Sequence, residues 1–294
     1  MDRFAEKQAR ISQHRAEASA RYPALWSNMI AEWNSPGPDD RAWLMYTANY
    51  LFCTDNVRWA MDPVRLIHRL PQAPDVNAAQ DLKALSFVLL THQHADHLDI
   101  DLIRALRHLP IIWVIPEPVL KLIQNQVDLP RKYVIVPGEL EPFEIQGIKI
   151  TPFTGLHWEK QEPQDNENAS SLRGVPATGY LVEFREKRWL FPGDTRMYDA
   201  SQLPSFGPVD GLFAHLWLGR GCAMLESPPF LDAFCRFFAD LGPRRIILTH
   251  LMEFGRTMDD YWDTSHAGMV YSCYQKNYKH IKMLYALLGQ KVLL

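Results

Sequence analysis

Thr91-His92-Gln93-His94-Ala95-Asp96-His97 follows directly on the apolar run Leu85-Ser86-Phe87-Val88-Leu89-Leu90, and this junction decides how the rest of the chain is read. The apolar run reads as a buried strand. Three imidazoles and one carboxylate hung on its end are hard to explain as packing, because each polar group buried there needs its own partner. A metal supplies that partner. On an extended or tightly turning segment His92 and His94 lie on the same side, whereas Asp96 and His97 open the next turn and point to a second position beside the first. The spacing suggests two adjacent cations. Imidazole and carboxylate without cysteine suit borderline divalent ions such as zinc, manganese or iron.

Outward from this junction, composition sets the bounds. The 294 residues allow one large domain or two small ones, and 47% hydrophobic with 22% charged residues is ordinary for a globular protein with a sizeable core. A formal net charge of −3 argues against a broad electrostatic footprint for nucleic acid. Cys53, Cys222, Cys235 and Cys273 are widely spaced with no C-x-x-C pair, and are read as free thiols. Met1 to Arg21 is charged throughout with no apolar signal core, and no stretch approaches the roughly 18 apolar residues of a membrane span, so a cytoplasmic protein is expected.

The N-terminal residues to Tyr22 favour a helix with a narrow apolar stripe, Pro23 is expected to interrupt it, and Ala24 to Trp33 to form a second short helix. Ser35-Pro36-Gly37-Pro38 closes this segment, so residues 1–38 are read as an N-terminal helical extension and 39–294 as the main domain. A packing arm or a contact between copies of the chain, giving a homo-oligomer, is the expected role of the extension. From Arg41 short apolar runs alternate with turn residues: Trp43 to Cys53, then Val57 to Met61 across Thr54-Asp55-Asn56 as a hairpin. Helices are expected over Asp99 to Leu109, Glu117 to Gln126, Pro229 to Leu241 and Ala267 to Tyr278, and a terminal hairpin from Ile281 to Tyr285 and Lys291 to Leu294. Residues 159–176 read as a long polar loop, a candidate lid. Two mixed sheets face to face with helices outside is the simplest arrangement of these elements. Metal-type residues stand at four strand ends: the 92–97 cluster, His157, Asp194 and His250.

In order as well as in type, these residues resemble the metallo-β-lactamase superfamily. Its H-x-H-x-D-H motif corresponds to His92-Gln93-His94-Ala95-Asp96-His97, its later single histidine to His157, its G-D-T segment to Gly193-Asp194-Thr195 and its last histidine to His250. The resemblance covers roughly Arg41 to Leu294 and implies an α/β fold, an αββα sandwich with metals held at one edge of the two sheets. By the same resemblance His92, His94 and His157 bind one metal, Asp96, His97 and His250 the second, and Asp194 bridges both. A hydroxide shared by two divalent ions, zinc in the first instance with manganese or iron as alternatives, is then the nucleophile, and Asp96 orients it. Aspartate rather than cysteine at 194 points away from the β-lactamases and towards relatives acting on phosphoesters, thioesters and lactones. The layout is most similar to the sugar-phosphate lactonase and phospholipase D-like branch.

The expected function is hydrolysis of an ester-type bond, phosphodiester or lactone, in a small anionic substrate. Lipid-like phosphodiesters are the alternative, and a binding protein on the same fold is disfavoured because every ligand position is filled. Trp158, Arg196 and His215 are the candidate substrate-binding residues: an aromatic wall, a guanidinium for a phosphate or carboxylate, and a donor to the developing oxyanion.

Overall fold

In the computed structural model, which describes residues 3–160 and 172–294, the chain begins with α1 (Arg3–Asn34), a single helix that runs through Pro23. The expected break does not occur. Proline inside a helix costs about 3 kcal/mol, through a lost N–H and a clash with the preceding turn. Against that stand Ile11, Tyr22, Trp26, Met29, Ile30 and Trp33, buried in one common core on both sides of Pro23. At roughly 1.5–3 kcal/mol for each large apolar side chain, that stripe outweighs the proline. Polar contacts fix the helix further. Lys7 Nζ donates to the Tyr261 carbonyl at 3.0 Å, and Arg15 donates to the carbonyls of Phe254 at 2.7 Å and Arg256 at 3.2 Å. Pro23→Ala is therefore expected to raise the unfolding free energy by about 1–2 kcal/mol, less than the full proline cost because alanine also frees the unfolded chain. Urea denaturation measures it. A decrease would mean that the ring itself fills space the core needs.

The remaining elements are β1 (Arg41–Leu44), β2 (Tyr50–Thr54), β3 (Val57–Met61), α2 (Leu66–Arg69), α3 (Ala78–Asp81), β4 (Phe87–Leu89), α4 (Ile100–Leu106), β5 (Ile112–Val114), α5 (Glu117–Ile123) and β6 (Val134–Ile135) in the first half. There follow β7 (Phe143–Ile145), β8 (Ile148–Thr154), β9 (Trp158–Lys160), β10 (Leu172–Gly174), β11 (Thr178–Phe184), β12 (Lys187–Phe191), β13 (Gly211–His215), α6 (Leu231–Asp240), β14 (Arg245–Thr249), α7 (Thr264–Asn277), β15 (Lys282–Tyr285) and β16 (Lys291–Leu293). One seven-stranded sheet runs β16-β1-β2-β3-β4-β5-β6 and the other β15-β14-β13-β12-β11-β8-β7. Each sheet is antiparallel on one side and parallel on the other, with the change at β3 and at β12. Asp55 and Asn56 turn the β2–β3 hairpin with φ of 49° and 62°, the left-handed pair such two-residue turns require.

The terminal hairpin expected from the sequence is not formed. β15 pairs parallel with β14 in the second sheet, while β16 pairs antiparallel with β1 in the first. The linking turn crosses between sheets, tied down where Gly289 donates to the Leu44 carbonyl. The strand expected over Trp43 to Cys53 is likewise divided, into β1 and β2, by the turn 45–49.

Between the sheets lies an aromatic core in which Phe52 stacks on Trp59 at 3.8 Å between ring centroids and Trp59 on Phe87 at 5.3 Å. α1 to α5 cover the outer face of the first sheet and α6 and α7 that of the second, giving the expected αββα layers. Of the expected 159–176 loop, residues 161–171 lie outside the described residues, and its ends form the β9–β10 pair. All four cysteines are unpaired, and no described helix is long and apolar enough to cross a membrane.

Candidate metal centre

Strands β3, β4, β8, β12, β13 and β14 all end at one edge of the sandwich, and the residue at or just past each end carries chemistry: Asp62, the 92–97 turn, His157, Asp194, His215 and His250. The carboxyl ends of parallel strands are the usual place for a ligand site in such sheets. Local backbone aims the side chains. His250 has φ of 65° and its N–H donates to the Thr47 carbonyl at 2.7 Å, so the β1–β2 turn holds the end of β14. Gly174 on β10 has φ of 151° and a Cβ there would lie 2.0 Å from the His157 carbonyl, so glycine alone lets β10 back this histidine.

Two sets of donors converge. His92, His94, His157 and Asp194 place one ligand atom each within 4.8 Å of one another, as do Asp96, His97 and His250. Asp194 lies between the sets. Its Oδ2 is 3.6 Å from His157 Nε2 and 3.9 Å from His92 Nε2, while its Oδ1 is 3.2 Å from His97 Nε2 and 3.7 Å from His250 Nε2. Among the described residues, the Nε2 atoms of His97 and His157 are buried without a hydrogen-bond partner. Orphaned buried ring nitrogens beside a carboxylate are the arrangement a cation completes.

Neighbours fix the rings of His92, His97 and His157 so that Nε2 faces inward. The Asp62 carboxylate accepts from Thr91 N–H at 2.7 Å, from the Thr91 hydroxyl at 2.5 Å and from His97 Nδ1 at 2.8 Å. With its proton given to Asp62, the Thr91 oxygen accepts from His92 Nδ1 at 2.9 Å. Asp62 thus orients His97 directly and His92 through Thr91. His157 Nδ1 donates to the Val175 carbonyl at 3.3 Å. Such outer partners raise ligand basicity and set the tautomer. Asn49 ties the frame together, donating to the carbonyls of Asp62 at 2.6 Å and Asp96 at 2.9 Å.

The electrostatics suit a divalent cation. Burial pushes His92 well below its ordinary pKa and His157 down to about 3, so both present neutral nitrogen lone pairs. At Asp194 burial works against ionisation, but His250, His97 and the hydrogen bond from His215 outweigh it and hold the carboxylate far below its usual range. For His97 burial is likewise outweighed, here by Asp194 and Asp62, which push its pKa well up. A positive charge is thereby favoured between these two carboxylates.

All seven residues assigned from the sequence as ligands stand in this cluster. His215 joins it, its Nδ1 donating to Asp194 Oδ1 at 2.8 Å, and it lines a cavity beside the centre with Arg196 and Trp217. Arg196 lines the cavities in front of the centre with its plane over Trp217 at 5.7 Å, and among the described residues its side chain makes no hydrogen bond. Trp158 is half-buried on β9 beside His157. Sequence reasoning missed Asn49, Arg256 and the role of Asp62. Arg256 donates to Asp96 Oδ2 at 2.9 Å and lies 3.5 Å from Glu253, which in turn pairs with Arg69 at 2.8 Å. Asp62 carried a signal, an aspartate at a strand end like Asp194; Arg256 carried none.

A family model for the Beta-lactamase superfamily domain matches residues 58–251. No curated protein matches the sequence. Among solved structures, the chain is similar to the metallo-beta-lactamase fold protein YhfI from Bacillus subtilis, at 14% identity and a TM-score of 0.60 over 87% of this chain and 100% of that one. It is similar to a metallo hydrolase from the hyperthermophilic archaeon Ignicoccus hospitalis, at 16% identity and a TM-score of 0.59 over 87% of this chain and 98% of that one. It is also similar to CmlA, a diiron beta-hydroxylase from Streptomyces venezuelae, at 16% identity and a TM-score of 0.53 over 88% of this chain, and spans 55% of CmlA. At these identities the likeness is one of fold.

Proposed function

Because this chain belongs to the beta-lactamase superfamily, we propose that it is a dinuclear metal-dependent hydrolase that cleaves an ester-type bond, phosphodiester or lactone, in a small anionic substrate. The observation that carries this reading is Asp194, whose two oxygens face separate histidine sets. His92, His94 and His157 would hold one cation, Asp96, His97 and His250 the other, with Asp194 shared. A pair of divalent ions bound there would lower the pKa of a water and polarise the reacting oxygen of the substrate. An N/O donor set without thiolate suits zinc first, with manganese or iron as alternatives.

The protein's own groups supply orientation. Arg256 donates to Asp96 Oδ2 at 2.9 Å and fixes the carboxylate, which would hold the second cation and orient the attacking water. His215 holds Asp194 in place through its hydrogen bond. Arg196, its side chain 7% exposed, lines the cavity and would meet the negative charge of the substrate. The polar cavity wall favours a small anion over a lipid-like phosphodiester, which would want apolar surface at the mouth.

The test is metal analysis of the reconstituted full chain with a panel of model phosphodiesters, lactones and thioesters. Two cations per chain are expected, with activity lost on chelation and restored by the metal. Fewer than two, together with a His157→Ala variant of unchanged occupancy and activity, would overturn the reading.

A further inference from the structure

The cavity in front of the histidines is walled by charge. Its roughly 490 Å³ is lined by His94 and Asp96 of the metal centre together with Arg173, Arg196 and Arg220, and among the described residues no large apolar side chain contributes to it. Small-molecule sites of this size ordinarily have mostly apolar walls. Two further arginines on the lining are already paired, Arg69 with Glu253 and Arg256 with Asp96.

Arg173, Arg196 and Arg220 instead share one carboxylate. Glu159 Oε1 accepts from Arg220 Nε at 2.7 Å and lies 3.7 Å from Arg196 and 3.9 Å from Arg173. Asp260, also on the lining, accepts from the Gly221 N–H at 2.9 Å and forms no ion pair with the three among the described residues. Among the described residues, one carboxylate faces three guanidinium groups, an excess of two positive charges. Arg196 is the extreme case, a nearly buried cation with no acceptor at hydrogen-bond distance among the described residues, its Cζ 5.7 Å from the centre of the Trp217 ring. A buried guanidinium without acceptors is costly unless a ligand brings them.

We propose that Arg173, Arg196 and Arg220 form a subsite for a second anionic group of the substrate, separate from the group that reacts at the metal centre, with Glu159 as the counter-ion that keeps the three cations together in the free protein. The inference rests on the hydrolase reading above and narrows it: the substrate carries two separated negative charges and no long apolar tail. The forked donors of arginine fit a phosphate or a carboxylate, each of which accepts two parallel N–H bonds.

The experiment uses the metal-loaded full chain and two ligands that differ only in the second charge, propyl phosphate and propane-1,3-diol bisphosphate, titrated calorimetrically. The bisphosphate is expected to bind at least tenfold more tightly, and 3-carboxypropyl phosphate, run beside it, tells whether the subsite takes a carboxylate as well as a phosphate. Arg173→Ala/Arg220→Ala removes two side chains that are 54% and 37% exposed, so the fold should tolerate it. In this variant the ratio of the two affinities should fall to within threefold; the ratio carries the result and the absolute affinities do not. No advantage for the bisphosphate in the parent, or an undiminished advantage in the double variant, overturns the proposal. A chain that hydrolyses no ester but shows the arginine-dependent ratio would sink the hydrolase reading and leave the subsite standing. Ester hydrolysis without that ratio would do the reverse.

Discussion

Asp194→Ala is expected to lower the bound metal from two ions per chain to at most one and to cut kcat/KM on the order of 1,000-fold, since several kcal/mol of charge stabilisation rest on the paired cations. Asp194 stands between both histidine sets, Oδ2 towards His157 and His92, Oδ1 towards His97 and His250. Its removal leaves each set without a shared anion and frees His215, whose Nδ1 now donates to it. Asp194→Asn separates charge from shape. An amide keeps the volume but offers one acceptor oxygen, so it can serve one set only, and a single retained cation is the expected result. Metal content by atomic emission and kinetics on whichever panel ester the parent hydrolyses provide the measurement. A variant that keeps two cations and a kcat/KM within threefold of the parent would remove Asp194 from the role of shared ligand.

The layers and the histidine cluster were legible in the sequence because both are local signals. An apolar run, a turn and a dense set of imidazoles within 85–97 need no knowledge of pairing, and His157, Asp194 and His250 each follow their own strand. What escaped depends on register. Asn49 reads as a turn residue until Tyr50 is seen opposite Met61, which brings its amide to the Asp62 carbonyl at 2.6 Å. Arg256 reaches Asp96 across 160 residues of sequence. At Pro23 local propensity predicts a break, and only the buried stripe on both sides of it makes α1 continuous. Strand pattern does not name a partner, so the last two strands read as a hairpin although β15 and β16 find theirs in different sheets.

Asp62 is where the same dependence on register yields the sharpest test of how the centre is held. No metal-ligand role is assigned to it, yet its carboxylate accepts three hydrogens, from the Thr91 backbone, the Thr91 hydroxyl and His97 Nδ1. In Asp62→Asn one oxygen becomes an amine. If that amine faces the Thr91 N–H, two donors meet and the end of β4 must shift. If it faces His97, Nδ1 must give up its proton and the ring takes the other tautomer, with hydrogen on the inward Nε2. The second outcome blocks the cation held by Asp96, His97 and His250 more than its neighbour. The expected loss is about 10–100-fold in affinity for that one ion, with the metal-free chain destabilised by about 1–3 kcal/mol for the unsatisfied buried group. Asp62→Ala should cost more, about 3–5 kcal/mol, because every donor is then orphaned and His97 loses the anion on its outer side. Sequential metal titration separates the two ions, urea denaturation under chelation gives the stability, and nitrogen NMR of the imidazoles reports the tautomer directly. Should Asp62→Asn bind both ions with parental affinity and leave His97 protonated on Nδ1, the orientation of the second set would have to come from the Asn49 frame and the backbone alone.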